Sequence, residues 1–295
     1  MHLGLSRICQ FCHGRSRPCS GLWTPHPPLV ATGCRMDFGR PMIHGEKSSL
    51  GFEICRTSRR VPDQWRTSRI TLICKNPDGD LDEVSNWRPI SVCRTLYKIY
   101  AAVLARSLQA WALERGVISP EQKGFMPTEG TCEHVFMLDT SLVDSKSAKN
   151  NIYVAWLDIN NAFGSVQHEC IQVVMRAFGV PSYLVEYIAD IYARNTTVVR
   201  TAGGVVTGEI PVCKGVRQGC PLSGIVFNLV AEVLVRGVKA VHNAGYKFSC
   251  ADVFAQVLMY ADDGCLLASS LLSTTGAASG LWAIRRLGWY QYQSQ

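Results

Sequence analysis

The sequence predicts an α+β fold in which a sheet is covered by helices on one side. Short segments rich in branched apolar residues alternate or run continuously, which is typical of strands. Longer segments repeat apolar residues at helical spacing and end at glycine or proline. With 47% hydrophobic and 18% charged residues, the 295-residue chain can fill a core. This composition excludes a wholly disordered or collagen-like protein.

The first half of the chain is predicted to hold two strands and two helices. A strand over residues 68–74 ends at a turn over 76–80, where Asn, Pro, Asp and Gly cluster. Helical spacing predicts a helix over 91–115, which Gly116 ends, and a second over 131–143. The near-continuous apolar run at 151–158 predicts a buried strand.

The second half is predicted to alternate helices with two hairpins. Periodicity predicts helices over residues 166–178, 183–192 and 221–241. Gly203-Gly204 joins strands over 196–202 and 205–210, and an Ala-Asp-Asp turn joins strands over 254–260 and 264–269. Polar and charged residues interrupt the run at 221–241, so we expect a buried helix there and no membrane span.

The basic excess lies in the first quarter of the chain. Residues 1–75 hold 12 basic and 4 acidic side chains, whereas residues 76–295 hold 18 and 19. This favours a polyanionic partner for that quarter, the alternative being a basic arm without a specific role. Because residues 1–60 contain several prolines and glycines and no sustained period, we expect an irregular segment there.

The 13 cysteines are scattered through the chain and form no spaced framework. No apolar leader stands at the N-terminus, so we expect reduced thiols and a location in the nucleus or cytoplasm. Cys9, Cys12 and His13 could suggest zinc. The second half of a four-ligand pattern is missing, however, and we expect no metal site there.

Carboxylates stand at the ends of two predicted strands. Asp158 ends the strand at 151–158, and Asp262 and Asp263 lie at the tip of the second hairpin. A carboxylate at the end of a buried strand is costly unless it is paired or binds a metal. Side by side, these ends would form the oxygen cluster that Mg²⁺ prefers. Ordinary turn aspartates are the alternative, and the spacing alone does not decide.

Five motifs in a fixed order carry a family resemblance. Residues 155–166 (AWLDINNAFGSV), 215–223 (GVRQGCPLS) and 260–263 (YADD) together resemble the three palm motifs of reverse transcriptases. The wording is closest to LINE-type, R2-like non-LTR retrotransposons. Residues 70–91, ending in NWRPIS, resemble the fingers, and QKGF at 122–125 resembles the segment that joins fingers to palm. The resemblance covers roughly residues 60–270.

The resemblance implies fingers over residues 61–150, a palm over 151–270 and a right-hand polymerase fold. The implied activity is that of an RNA-directed DNA polymerase, which copies an RNA template by adding dNTPs to a DNA primer. Asp158, Asp262 and Asp263, with the carbonyl of Ile159, would hold two Mg²⁺ ions, or Mn²⁺ in their place. The ions would lower the pKa of the primer 3′-hydroxyl and neutralise the leaving pyrophosphate.

The same resemblance assigns two aromatic residues. Phe163 matches the bulky residue that excludes a ribose 2′-hydroxyl; without the motif it would be interpreted as a core residue. Tyr260 would support the primer end, the alternative being a plain strand aromatic.

Four further residues match substrate contacts of the family. Lys75 and Arg88 match the basic pair on the incoming triphosphate, where Arg binds phosphate bidentately and Lys acts as a point charge. Gln218 and Gly219 match the loop beneath nucleotide and template, where glycine permits close backbone approach. The alternatives are solvated surface charges and a tight turn before the next helix.

The sequence departs from the family at Cys74, where a proline is usual, and at residues 271–295. The tail does not match, so we expect the palm to lose an element, the thumb to be missing and the chain to be weak or inactive as a polymerase. An alternative function is that of an inactive retrotransposon remnant that at most binds nucleic acid. An intron-encoded maturase is a third possibility, which the NWRPI motif at residues 86–90 disfavours.

Overall fold

A computed structural model describes residues 8–10, 46–159, 161–200, 204, 206–241 and 245–270. The predicted tail at 271–295, Gly203 and the cysteine and histidine at 12 and 13 lie outside the described residues.

The described residues contain seven α-helices and ten strands. The helices are α1 (Glu46–Ser58), α2 (Thr95–Glu114), α3 (Gly130–Ala148), α4 (Ala162–Ser165), α5 (His168–Ala177), α6 (Ser182–Tyr192) and α7 (Pro221–Lys239). The strands are β1 (Ile8–Gln10), β2 (Thr67–Cys74), β3 (Trp87–Val92), β4 (Tyr153–Asp158), β5 (Thr196–Val199), β6 (Ile210–Pro211), β7 (Tyr246–Lys247), β8 (Phe254–Ala255), β9 (Val257–Tyr260) and β10 (Asp263–Ala268).

Several predicted boundaries are wrong. Helix α3 runs to Ala148 instead of ending at residue 143, and the strand predicted over residues 205–210 is limited to β6. Residues 91 and 92 end β3 instead of beginning a helix, because β3 pairs with β2 along its whole length, up to Val92 opposite Arg69. The irregular segment predicted up to residue 60 contains α1. Only Phe52 and Cys55 among its described side chains are buried. Two buried positions are too few to produce a helical repeat of apolar residues that could be recognised in the sequence.

The described residues form two compact units that are interleaved along the chain. The first unit takes its described residues from 1–36, 113–160 and 231–295, and the second from 37–112 and 161–230. The domain boundaries at 60, 150 and 270 follow the motifs and remain predictions.

The first unit contains an antiparallel sheet with the strand order β1-β4-β10-β9. One face packs on α7, where Ala155 and Leu266 meet Val235 and Val238. The other face carries Val154 and Leu267, with side chains of α3 packed against them. The prediction that helices cover only one side of the sheet is therefore wrong for this unit, because α3 packs against the second face.

The second unit contains a mixed sheet with the order β3-β2-β5-β6. β2 runs antiparallel to β3 and parallel to β5, and β6 returns antiparallel to β5. Arg200 bridges to Val206 across the predicted hairpin, and Gly204 has φ +80°. The ring of Tyr100 on α2 lies 5.7 Å from that of Tyr187 on α6, so aromatic packing joins the two helices.

Helix α7 is the one described helix that is long and apolar enough to cross a membrane, but 78% of its apolar window is buried inside the protein. Its fully buried Glu232 accepts hydrogen bonds from the N–H of Ser119 at 2.9 Å and from its hydroxyl at 2.6 Å. Arg236 pairs with the same carboxylate at 2.9 Å. A charge satisfied in this way is compatible with a core helix.

Candidate active site

Three aspartates meet at one end of the sheet in the first unit. Asp158, the last residue of β4, lies directly opposite Asp263, the first residue of β10, and Asp263 in turn lies opposite Tyr260. Residues opposite each other in an antiparallel ladder share a face, with Cβ atoms about 4.5–5.5 Å apart. Asp262 occupies the two-residue turn between β9 and β10. The fold thus brings together carboxylates that lie a hundred residues apart in the sequence.

A buried glutamine holds this turn. Gln122 is 2% exposed, and its Oε1 accepts hydrogen bonds from the N–H groups of Ala261 and Gly124, both at 2.8 Å. Its Nε2 donates to the carbonyl of Ala261 at 3.1 Å. A Cβ on Gly124 would lie 2.1 Å from the nitrogen of Ala261, so only glycine fits there. The QKGF segment therefore fixes the backbone beside Asp262, which itself follows a residue at φ +55°.

The three carboxylates repel one another. Burial raises the pKa of Asp262, and the charges of Asp263 and Asp158 raise it further. Among the described residues, none of the ion pairs involves any of the three. Within the described part of the chain the cluster is therefore negative and has no ion-pair partner, an arrangement that a bound cation would relieve.

The donor set fits a hard cation. Within the described ranges, no three His, Cys, Asp or Glu side chains are already disposed around a metal position. Asp158 and Asp263 are exposed, however, so their side chains can turn toward an ion, and carboxylate oxygens are what Mg²⁺ prefers. The side chain of Ile159 packs with the α7 core, while its carbonyl remains only a predicted ligand. Tyr260 is 47% exposed beside the cluster, and its primer role remains a prediction.

In the second unit, Lys75, the residue after β2, and Arg88, on β3, lie on one face of this strand pair. The N–H of Lys75 donates to the carbonyl of Asn86 at 2.8 Å, and Arg88 lies opposite Ile73. Lys75 and Arg88 are therefore diagonal neighbours across the ladder, and both are exposed. The structure thus brings this predicted pair together.

The loop with Gln218 and Gly219 docks against β3. The N–H of Ser91 donates to the carbonyl of Gln218 at 2.7 Å. Gly219 has φ +107°, and a Cβ there would lie 2.9 Å from the carbonyl oxygen of Ser91. Both conditions demand glycine, so the backbone alone accounts for a tight turn at this position.

Arg217 anchors the same loop, a role that the sequence analysis missed. This arginine is 6% exposed and donates to the carbonyl of Trp65 at 3.2 Å and to Oδ1 of Asn195 at 2.6 Å. It also donates to the carbonyl of Arg66 and lies 5.2 Å from the ring centroid of Tyr97. Because the acceptors come from two separate segments and the aromatic ring from a third, Arg217 ties the loop to the rest of its unit.

Phe163 lies on the short helix α4 and is half-buried. Its ring centroid is 5.1 Å from that of Phe227, and its carbonyl accepts a hydrogen bond from Val216 at 2.8 Å. This packing suits a core residue and a positioned gate equally, so the sugar-gate role remains a prediction.

Comparison with known sequences decides the family. The chain matches the reverse transcriptase (RNA-dependent DNA polymerase) family over residues 73–281. It is 34% identical over 217 residues to a Pol polyprotein of the type-1 retrotransposable element R2 of Popillia japonica. It is 30% identical over 213 residues to the type-2 element R2DM polyprotein of Drosophila melanogaster.

The chain belongs to the reverse transcriptase family.

Its R2-like, non-LTR character is confirmed by these relatives. The matches cover 73% and 71% of this chain but only 29% and 19% of the two polyproteins, so the chain spans less than a third of their length.

Solved structures agree on the fold. Apo telomerase of Candida tropicalis superimposes with a TM-score of 0.53 at 11% identity, covering 78% of this chain and 43% of the telomerase. Candida albicans telomerase, solved with a TWJ fragment of telomeric RNA, gives 0.52 at 10% identity, covering 78% and 42%. At such identities the likeness shows the right-hand polymerase fold that the sequence predicted.

Two residues of this reverse transcriptase were missed by the sequence analysis although both lie inside quoted motifs. Gln122 opens QKGF, and Arg217 stands in GVRQG. A charged or amide side chain in a motif suggests ligand contact, whereas both prove to be buried and bonded to backbone. Each stands within two residues of a glycine that admits no Cβ, and that neighbouring glycine is the signal for close backbone packing.

Proposed function

We propose that this chain is the RNA-directed DNA polymerase domain of a retrotransposon, adding deoxynucleotides from dNTPs to a primer 3′-hydroxyl. The observation that carries the proposal is the register of Asp158 opposite Asp263, with Asp262 in the adjoining turn. Membership in the reverse transcriptase family supports the same reaction. The finer parts of the proposal are an RNA template, a DNA primer and a location in the nucleus or cytoplasm.

The acidic end of the first-unit sheet is proposed as the metal site. Asp158, Asp262 and Asp263 would hold two Mg²⁺ ions, with Mn²⁺ as an alternative. When bound, such ions stabilise the charge on the attacking and leaving oxygens of a phosphoryl transfer. Gln122 contributes by fixing the backbone of the turn, and errors of 1 Å in such placement can cost about 100-fold in rate.

The second unit is proposed to bind the nucleotide. Lys75 and Arg88 supply two exposed cations on one sheet face, which suits a triphosphate. Gln218 and Gly219 form the loop proposed to lie beneath nucleotide and template, and Phe163 is proposed as the gate against a ribose 2′-hydroxyl. Support for these roles comes from the match of each residue to the family motifs.

Primer extension on an RNA template tests the proposal. The full chain is incubated with a DNA primer, dNTPs and Mg²⁺, beside an Asp262→Ala, Asp263→Ala control. Extension by the unmodified chain that disappears in the control supports a polymerase. Equal background in both supports the inactive remnant and overturns the proposal, provided that circular dichroism shows both proteins folded.

A further inference from the structure

A cavity of about 340 Å³ lies in the second unit, outside the residues assigned to the metal, the nucleotide and the template. Its walls come from the first turns of α5, from the end of α6 with the residues that follow it, and from the segment around the end of β6. Pockets for small molecules begin at about 300 Å³. The cavity can therefore hold a molecule about the size of a mononucleotide.

Two rings and several aliphatic side chains form the apolar part of the wall. The ring centroids of His168 and Tyr192 lie 5.1 Å apart, and Ile171 and Val212 line the same space. Nε2 of His168 donates to the carbonyl of Gly215 at 3.0 Å, which holds the imidazole in place. A flat ring of a ligand can stack against a surface of this kind.

One buried polar group of the wall has no partner. Asn195 is 2% exposed, and its Oδ1 accepts a hydrogen bond from Arg217 at 2.6 Å. That bond fixes the orientation of the side-chain amide, so Nδ2 has to be a donor. Among the described residues, Nδ2 finds no hydrogen-bond acceptor. A buried donor without a partner is costly, and an acceptor on a ligand would remove that cost.

Two charged side chains of opposite sign complete the lining. Arg194 and Glu169 both line the cavity and are both exposed. Arg194 lies 3.8 Å from the carboxylate of Asp63, but a long ion pair between two exposed side chains is worth little. The guanidinium of Arg194 is therefore available to a phosphate, whose oxygens match its fork of donors. The carboxylate of Glu169 can accept hydrogen bonds from hydroxyl groups.

We propose that this cavity binds a ribonucleoside monophosphate. An acceptor on the base takes the free N–H of Asn195, the phosphate binds Arg194, and the ribose hydroxyls donate to Glu169. A triphosphate is less suited, because Arg194 is the only lysine or arginine among the described residues that line the cavity. The site shares no residue with the proposed polymerase site, so the proposal does not depend on that reaction.

Equilibrium dialysis of the full chain against labelled uridine 5′-monophosphate (UMP), without divalent metal, tests the proposal. For Asn195→Asp we expect binding weaker by about tenfold or more, because the donor becomes an acceptor that repels the base carbonyl. The new carboxylate still accepts from Arg217, so the anchor of the loop is kept and the free energy of unfolding should not fall. Asn151→Asp, at an exposed position of the first unit, is the matched control and should bind UMP as the wild type does.

Comparison of UMP with uridine tests the phosphate contact. The wild type should prefer UMP by roughly tenfold, and this preference should disappear in Arg194→Gln. Arg176→Gln, which removes an exposed cation of α5, should keep it. A short oligouridylate with a 5′-phosphate distinguishes a free nucleotide from the end of an RNA chain. Either ligand supports the site if its binding depends on Asn195 and Arg194, and the tighter one identifies the source.

Three results would each overturn the proposal. They are no UMP binding by the wild type, equal affinities of Asn195→Asp and Asn151→Asp, and loss of UMP binding in Lys75→Gln, Arg88→Gln. The last would place the nucleotide at the predicted triphosphate pair. Thermal unfolding checks the fold of each variant, and if Asn195→Asp is unfolded, the uridine comparison in Arg194→Gln decides. Since dialysis requires no catalysis, a chain that fails in primer extension can still bind UMP, and a polymerase can still fail to bind it.

Discussion

The two sheets of this reverse transcriptase carry opposite charge. The sheet of the first unit, here called the acidic sheet, has Asp158 and Asp263 at one end, and its strands β4, β9 and β10 contain no Lys or Arg. The sheet of the second unit, the basic sheet, has four exposed cations on its strands or directly after them, namely Arg69, Lys75, Arg88 and Arg200. Its strands β2, β3 and β5 contain no Asp or Glu. Each sheet thus concentrates one sign and excludes the other.

The difference teaches what each sheet lacks. Like charges gathered together cost stability, and in the acidic sheet the pKa of Asp262, which burial raises first, is raised further by the charges of Asp263 and Asp158. A bound cation would offset the first cluster, and a bound phosphate would offset the second. A polymerase needs both, since its substrates are anionic and its metals are cationic.

The two units hold their functional loops by a common device. Gln122 binds the turn beside Asp262, and Arg217 binds the loop that carries Gln218. Both are buried polar side chains whose partners are mostly backbone groups. Breaking either leaves several polar groups without partners, a cost larger than the net value of the bonds themselves.

The largest effect is expected when a carboxylate is removed from the acidic sheet. Asp158→Asn should reduce primer extension by roughly 1000-fold, since metal stabilisation of a transition state is worth several kcal/mol. The free energy of unfolding should not fall, because one of three repelling charges is gone. Asp139→Asn, on the exposed surface of α3, is the control and should keep its activity. Full activity in Asp158→Asn would show that the carboxylates of the acidic sheet do not take part in the reaction.

Features of this protein that depend on residues close in sequence can be predicted from the sequence, whereas contacts between distant residues cannot. Strand and helix positions follow from local periodicity, and β4 and α6 agree with the prediction within two residues. That Asp158 and Asp263 meet could be proposed from two strand ends, but the register needs the sheet. Packing of α3 on the second face, the burial of Gln122 and the bonds of Arg217 depend on distant partners. Periodicity and motif spacing contain no information on such partners.

In the second unit, the largest loss of stability is expected from Arg217. Arg217→Met leaves the carbonyl of Trp65 and the amide oxygen of Asn195 without this donor. It also removes one of two donors to the carbonyl of Arg66, which still accepts from the N–H of Thr196. At about 1–3 kcal/mol for each unsatisfied group, partly relieved by relaxation, we expect a loss of about 3 kcal/mol. Urea unfolding measures it, with Arg176→Met, at an exposed position of α5, as the control. A loss as small as that of the control would mean that Arg217 does not anchor the loop.

The corresponding residue of the first unit is expected to matter somewhat less. Gln122→Met keeps the volume but removes the partners of the N–H groups of Ala261 and Gly124 and of the Ala261 carbonyl. We expect a loss of about 2 kcal/mol in the free energy of unfolding. Primer extension should fall further than this loss explains, because the turn carries Asp262. Gln172→Met, on α5, should change neither quantity. Equal results for both variants would show that Gln122 does not hold the turn.

A smaller effect on substrate choice is expected at Phe163. Phe163→Val opens space next to Phe227, so the ratio of ribonucleotide to deoxynucleotide incorporation should rise by roughly tenfold, within the range of one steric contact. Single-nucleotide extension with each triphosphate measures the ratio. Because truncating a packed Phe costs stability, the midpoint of thermal unfolding is measured alongside. An equal decline with both nucleotides would identify Phe163 as a core residue only.

The smallest effect is the pH dependence of the acidic sheet. The pKa of Asp262 is raised above its ordinary 3.8, first by burial and then by the charges of Asp263 and Asp158. The folded chain therefore holds the proton of Asp262 at pH values where the unfolded chain has already lost it. The stability that this proton confers is fully present below pH 3.8 and is lost as the pH rises through the raised value.

Substitution isolates that contribution. Asp262→Asn cannot ionise, so it should be more stable than the wild type at neutral pH, and the difference should shrink as the pH falls toward 3.8. Urea unfolding at a series of pH values measures the difference, in which the other carboxylates cancel. Mg²⁺ at neutral pH should also shrink it, by offsetting the charge in the wild type alone. If the difference in the free energy of unfolding depended on neither pH nor Mg²⁺, the three aspartates would not act as one electrostatic cluster. The acidic sheet would then not be a site of unfavourable charge, and the contrast with the basic sheet would not hold.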